Sequence, residues 1–147
     1  MYSVGYRIVN NQEEAEDVLQ EAFISAFRNL GDYRGSSSFG AWLKRIVVNK
    51  AINQIKKRRM ERLPEDENFD IQEDVLADEF EGYPFTVDKV RKAIELLPDG
   101  YRAIFSLYLV EGYDHAEIAE ILGISESTSK SQFNRSKKKI KEILNEL

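Results

Sequence analysis

Ser127, Lys130, Ser131, Asn134, Arg135 and Lys138 lie three or four residues apart near the end of the chain, so on a helix they share one side. Phe133, Ile140 and Ile143 or Leu144 take the other side, with the small Ser129 and Ser136 between them. The first side carries hydrogen-bonding groups and cations, and none of those six residues is acidic. Such a helix suits a DNA major groove, where cations meet phosphates and Asn and Arg meet base edges. An ordinary helical hairpin with a solvated lysine-rich face is the plainer reading. The residues just before favour the groove. Ile118, Ala119 and Leu122 mark one face of a short helix, Gly123 stands where that helix must stop, Ile124 fills the angle, and Ser125 can cap the next helix. That spacing predicts a helix-turn-helix.

A second set of groups lies between residues 33 and 57. Tyr33, Phe39 and Trp42 gather around a loop and a helix start, beside Arg34, Lys44, Asn49, Lys50, Asn53, Lys56 and Lys57. Aromatic faces next to cations can stack a single-stranded base and follow its phosphates. For Phe39 and Trp42, burial in a core explains the residue type at least as well; Tyr33 and Arg34 are expected to be exposed. Asp17, Gln20 and Glu21 form a third set, a polar negative strip on the helix predicted over 12–30, and fit either solvent or a basic protein partner.

The elements that must position these groups all read as helices. Residues 1–9 look like the end of a helix, with Tyr2, Tyr6 and Val9 at helical spacing. Asn11 and Glu14 have capping-box spacing for the 12–30 helix, whose inner stripe is Val18, Ala22, Ala26 and Leu30, with Phe23 and Phe27 beside it and Gly31 at its end. Ser37 or Ser38 can cap a long helix over 38–60, with Phe39, Leu43, Ile46, Val47, Ile52 and Ile55 inward and Lys44, Lys50, Asn53, Lys56 and Lys57 outward. Thr86 caps a helix over 87–97 with Val87, Val90, Ile94 and Leu97 inward. Asp99 caps the next, over about 100–110, with Tyr101, Ile104, Phe105 and Tyr108 apolar. No stretch reads as a strand.

Charge is arranged in blocks. The 147 residues carry a net charge of −5, which alone argues against nucleic acid. Yet 44–62 hold eight bases and one acid, 63–86 nine acids and no base, and 130–141 six bases and no acid. A polyanion responds to the local field of each basic block. Residues 63–86 read as an acidic linker, bracketed by Pro64 and Pro84, with a short helix conceivable over Ile71 to Phe80. As a flexible coil this stretch spans roughly 25–30 Å, close to one DNA turn of about 34 Å. The expected fold is all-α: two small helical domains joined by the linker, the C-terminal one a four-helix unit with a helix-turn-helix. The expected boundaries are 1–62, 63–86 and 87–147. With no cysteine and a single histidine, His115, there is no disulfide framework or thiolate site, and no metal site, cofactor or small-molecule substrate is expected. No nucleophile–base pair marks an enzyme. No apolar run reaches membrane-spanning length and no signal peptide is visible, so a cytoplasmic protein is expected.

Four ordered segments together resemble a bacterial sigma factor of the extracytoplasmic-function (ECF) group within the primary sigma family. They are AEDVLQEAFISAF at 15–27, YRGSSSFGAWLKRIVVNKAINQIKKRR at 33–59, LPDGYRAIFSLYLVEGYDHAEIAEILGIS at 97–125 and SESTSKSQFNRSKKKIKE at 125–142. The resemblance implies a role for each. Asp17, Gln20 and Glu21 would meet RNA polymerase core. Tyr33 and Arg34 would hold a flipped base of promoter DNA. Asn49, Lys50 and Asn53 would sit near the minus-ten element, with Lys56 and Lys57 near its phosphates. Lys130, Ser131, Asn134 and Arg135 would face the minus-thirty-five element. Whether an anti-sigma factor is a further partner stays open. A stand-alone helix-turn-helix regulator, with the first domain serving protein interaction, is the alternative. This sequence departs from the family pattern at three places. The family's first domain normally starts earlier, which implies an N-terminally short chain. Ser129 replaces a common Val, which is expected to weaken packing under the recognition helix. Ser127 replaces a frequent Gly, and Gln132 a frequent Arg.

Overall fold

Each helix start is set by a local side-chain bond. The Oδ1 of Asn11 accepts the Glu14 amide at 3.0 Å, Ser38 Oγ accepts Ala41 at 3.1 Å, Thr86 Oγ1 accepts Lys89 at 3.3 Å and Ser125 Oγ accepts Thr128 at 3.1 Å. Such a cap contributes about 1 kcal/mol. The computed structural model describes residues 1–61 and 86–147; the linker stretch and the short helix conceived within it lie outside the described residues. The helices are α1 (Tyr2–Val9), α2 (Gln12–Arg28), α3 (Phe39–Glu61), α4 (Val87–Leu96), α5 (Asp99–Phe105), α6 (His115–Leu122) and α7 (Glu126–Glu146). A 3₁₀ turn (Leu30–Asp32) follows α2, and a π-helical turn (Ser106–Val110) continues α5. The described residues contain no strand. The chain divides into two compact units, Met1–Glu65 and Asp66–Leu147.

In the first unit α3 packs against both α1 and α2. Two helices therefore cover it, and its buried set is wider than one stripe: Leu43, Val47, Val48, Ala51, Ile52 and Ile55. Val48 and Ala51 were not expected there, whereas Phe39, expected inward, is 48% exposed. In α1 the buried residues are Val4, Gly5, Ile8 and Val9; Tyr2 and Tyr6 instead stack on each other near the surface, with centroids 6.0 Å apart. Arg58 of α3 donates to the Val9 carbonyl and pairs with Glu14, tying the three helices at one end. α2 buries Ala15, Val18, Ala22 and Ala26 as its period requires. It stops at Arg28, three residues before Gly31, where Asn29 Nδ2 folds back to the Ser25 carbonyl at 2.9 Å. The stripe thus ends before Leu30, which is exposed.

In the second unit α7 is the central element, with α4, α5 and α6 packed on it. Its inner line is Ser129, Phe133, Ser136, Ile140 and Leu144. α4 contributes the buried Ala93, with Leu97 just after it; Val87, expected inward, is 75% exposed, since it sits in the first turn of α4. Pro98, not Asp99, occupies the cap position of α5. The Asp99 carboxylate is free to take Arg102 Nη2 at 2.6 Å, while Arg102 Nη1 donates to the Leu97 carbonyl at 2.9 Å. Arg102 is only 3% exposed, and this pairing is what makes a buried cation tolerable.

Candidate nucleic-acid interface

The turn between α6 and α7 is built from three local devices. Asp114 and Glu117 form a reciprocal capping box at the start of α6, with the Glu117 amide donating to Asp114 Oδ1 at 2.8 Å and the Asp114 amide to Glu117 Oε1 at 3.3 Å. Gly123 ends α6 with φ +70°, a left-handed conformation that costs any residue with a Cβ about 1 kcal/mol. The Ile124 amide then closes onto the Ala119 carbonyl at 3.0 Å, so the chain reverses into the Ser125 cap. Ile118 and Ile121 carry the buried side of α6; Ala119 and Leu122 are half-buried.

With its inner line fixed, α7 turns Ser127, Asn134 and Lys138 fully outward. Ser131 and Arg135 share that side but are half-buried. One guanidinium nitrogen of Arg135, Nη2, is enclosed and has no hydrogen-bond partner among the described residues. Lys130 is exposed at the edge of this side, and its Nζ lies 3.8 Å from Glu126 Oε1. So an acid does border the cationic side, one turn before Lys130. Its effect on stability is small, because both side chains are more than half exposed.

Ser129 is completely buried. The weak packing expected from Ser in place of Val does not follow, because the hydroxyl has a partner: His115 Nδ1 of α6 at 2.8 Å. The imidazole stacks on Tyr108, with centroids 4.5 Å apart, and meets the edge of Phe133 at 5.8 Å. Burial first, and the neighbouring Lys130 second, hold the His115 pKa below its usual 6.5 against the opposing pull of Glu126 and Asp114.

In the first unit Tyr33, Phe39 and Trp42 form a ring cluster with centroids 5.4–5.6 Å apart. Tyr33 is half-buried rather than free, and its hydroxyl donates to the Ser37 carbonyl at 2.7 Å, which closes the loop. Arg34 is exposed. On α3, Asn49, Asn53, Lys56 and Lys57 are exposed and share an outward side with the half-buried Lys50. Lys44 does not join them. It falls in line with Val48, Ala51 and Ile55 at helical spacing and is half-buried one turn before them.

Asp17, Gln20 and Glu21 are exposed on α2. The sequence reading missed what lies among them. Ile24 is 51% and Phe27 75% exposed, and both fall on the side opposite the buried alanines. The signal was present in the spacing of Gln20, Ile24 and Phe27, but Phe27 had been placed beside the core stripe. The surface is therefore apolar at its middle and acidic at its margin.

A sigma-70 region 2 family model matches residues 1–61 and a sigma-70 region 4 model matches residues 88–140. Over 156 aligned residues the chain is 33% identical to the RNA polymerase sigma-H factor of Pseudomonas aeruginosa, covering 96% of this chain and 78% of that one. It is 32% identical to the ECF RNA polymerase sigma factor SigE of Mycolicibacterium smegmatis, covering 98% of this chain and 57% of that protein's length. The chain belongs to the ECF RNA polymerase sigma factors. The fold agrees. The sigma factor RpoE of Bartonella quintana, solved in complex with the anti-sigma factor NepR, superposes with a TM-score of 0.65 at 21% identity, covering 98% of this chain and 89% of that one. This sigma factor is a transcription initiation factor and not an enzyme. No helix among its described residues is long and apolar enough to cross a membrane.

Proposed function

We propose that this sigma factor docks on RNA polymerase core through the outward side of α2 and reads promoter DNA at two places, with α7 on the minus-thirty-five element and the α3 side and its loop on the minus-ten element. The single observation carrying this reading is that the base-reading candidates Ser131, Asn134 and Arg135 project from one side of a helix held by a left-handed turn at Gly123. An α-helix fits the major groove, and Asn or Arg there can make paired bonds to adenine or guanine. Ser127, Lys130 and Lys138 serve phosphates and register. In the first unit Asn49, Lys50 and Asn53 face bases, Lys56 and Lys57 face phosphates, and Arg34 and the ring cluster receive an extruded base. Stacking on an aromatic side chain returns about 1–3 kcal/mol per base, which offsets part of the cost of unstacking the duplex. On α2, Phe27 and Ile24 supply contact area, while Asp17 and Glu21 select a basic surface on the polymerase. Lys44 is left with a minor share, on account of its position. An anti-sigma factor is proposed as a third partner, and the cytoplasm as the place of action.

The test is reconstitution with the host's core polymerase and run-off transcription from mapped start sites. Transcription that needs both the chain and core supports the reading. Tight, specific binding to duplex promoter DNA without core would instead favour a stand-alone regulator.

A further inference from the structure

We infer that His115 is a positioning residue for sequence reading by α7: together with the buried Ser129 hydroxyl it forms a polar pin that sets the rotation of α7 on α6. The inference rests on the proposed reading of α7 as the base-reading helix.

Three observations converge on this pair. Ser129 is 0% exposed and stands on the inner line of α7, directly before Lys130 and Ser131. A hydroxyl so placed needs a partner, and His115 Nδ1 supplies it at 2.8 Å across the helix-turn-helix. The imidazole is itself held from several sides. Its backbone is fixed as the first residue of α6 by the Asp114 cap. Its ring lies nearly parallel to that of Tyr108, at 18° between planes, and against the edge of Phe133. Tyr108 reaches this place from the π-helical turn, closed by the Glu111 amide on the Ser106 carbonyl at 2.9 Å. Single π turns are rare and re-aim the side chains they carry.

The remaining contacts of α7 with the unit are mostly apolar, and apolar packing is not directional. A hydrogen bond is directional, and it weakens steeply when bent. The geometry shows why this matters. Side-chain atoms stand roughly 5–6 Å from the helix axis, so a rotation of about 20° carries them about 2 Å sideways. That is enough to break a paired bond from Asn134 or Arg135 to a base while leaving the helix folded. The charged groups facing the imidazole are Lys130 and Glu126 of α7 and Asp114 of α6.

The experiment uses holoenzyme reconstituted from the full chain and core, and reads the ratio of run-off transcription from a mapped promoter to that from the same promoter with its upstream element replaced. His115→Phe keeps a ring for Tyr108 but has no nitrogen. His115→Asn sets an amide atom where Nδ1 was and loses the ring. The double variant His115→Phe/Ser129→Val removes both polar partners and leaves none unpaired. The pin predicts that His115→Phe lowers the ratio about tenfold, that His115→Asn stays within about twofold of the wild type, and that the double variant melts like the wild type yet keeps the low ratio. A double variant with the wild-type ratio, or a His115→Asn as poor as His115→Phe, would overturn the inference. Should His115→Phe not fold, those two variants decide the matter. A wild-type holoenzyme indifferent to the upstream element would overturn the proposed function itself, so the two failures are distinguishable.

Discussion

Replacing Lys130 and Asn134 together by alanine should silence upstream-element reading and leave the fold intact. Both side chains are exposed. Lys130 gives up only an ion pair to Glu126 at 3.8 Å with both partners in solvent, worth at most about 0.5 kcal/mol. Alanine is a better helix former than Asn or Lys, which returns a similar amount. Folding stability should therefore stay within about 0.5 kcal/mol of the wild type. Binding should change far more. A paired bond from Asn134 to a base is worth about 1–3 kcal/mol, a factor of about 5 to 150, and losing the Lys130 phosphate contact should lower the salt slope by about 1. The readout is run-off transcription at several salt concentrations, beside core pull-down and thermal melting. Arg135 is a poorer choice for this test, because its enclosed Nη2 makes Arg135→Ala a packing change as well. Core binding that drops in parallel with transcription, or a melting loss above about 1 kcal/mol, would show that these side chains serve the fold rather than the promoter.

Three further outcomes are expected. Asp17→Arg and Phe27→Ser should each weaken core pull-down at unchanged stability, since both side chains stand outside the core of the first unit; an unchanged pull-down for both would remove α2 as the docking surface. Asp99→Ala should destabilise the second unit by about 3 kcal/mol in chemical denaturation, because it takes away the carboxylate partner of the buried Arg102. A loss under about 1 kcal/mol would mean that the guanidinium is satisfied without it. The folded His115 pKa lies below 6.5, so between the two values the unfolded chain holds more protons. Stability from this group is then complete above 6.5 and is lost as pH falls through the folded value. His115→Phe should flatten that part of the melting profile, and an equal slope in the variant would assign it to other groups.

What the sequence made legible was what short-range geometry decides. Gly123, Ser125 and Thr86 were assigned from residue type alone, because a left-handed turn or a helix cap involves only neighbours. The inner line of α7 followed from its period. What stayed hidden depends on how many partners a helix has. Val48 and Ala51 are buried because two helices cover α3, and a pattern read for one covered side leaves them out. Val87 was placed inward by the same period, yet it stands outside the covered part of α4. Phe27 and Ile24 are apolar and outward, which no rule that puts apolar residues inside can recover. The buried Arg102 and the His115–Ser129 bond are tertiary pairings of polar groups, and polar groups leave no periodic trace.

One measurement bears most directly on two-site reading in the service of polymerase. Holoenzyme is supplied with a promoter library in which the upstream and downstream blocks and the spacing between them are randomised independently, and active templates are sequenced. Enrichment of two separate motifs at a fixed spacing, with the upstream one erased by Lys130→Ala/Asn134→Ala, is the predicted result. Recovery of a single motif, or of the same two motifs with that variant, would contradict the account.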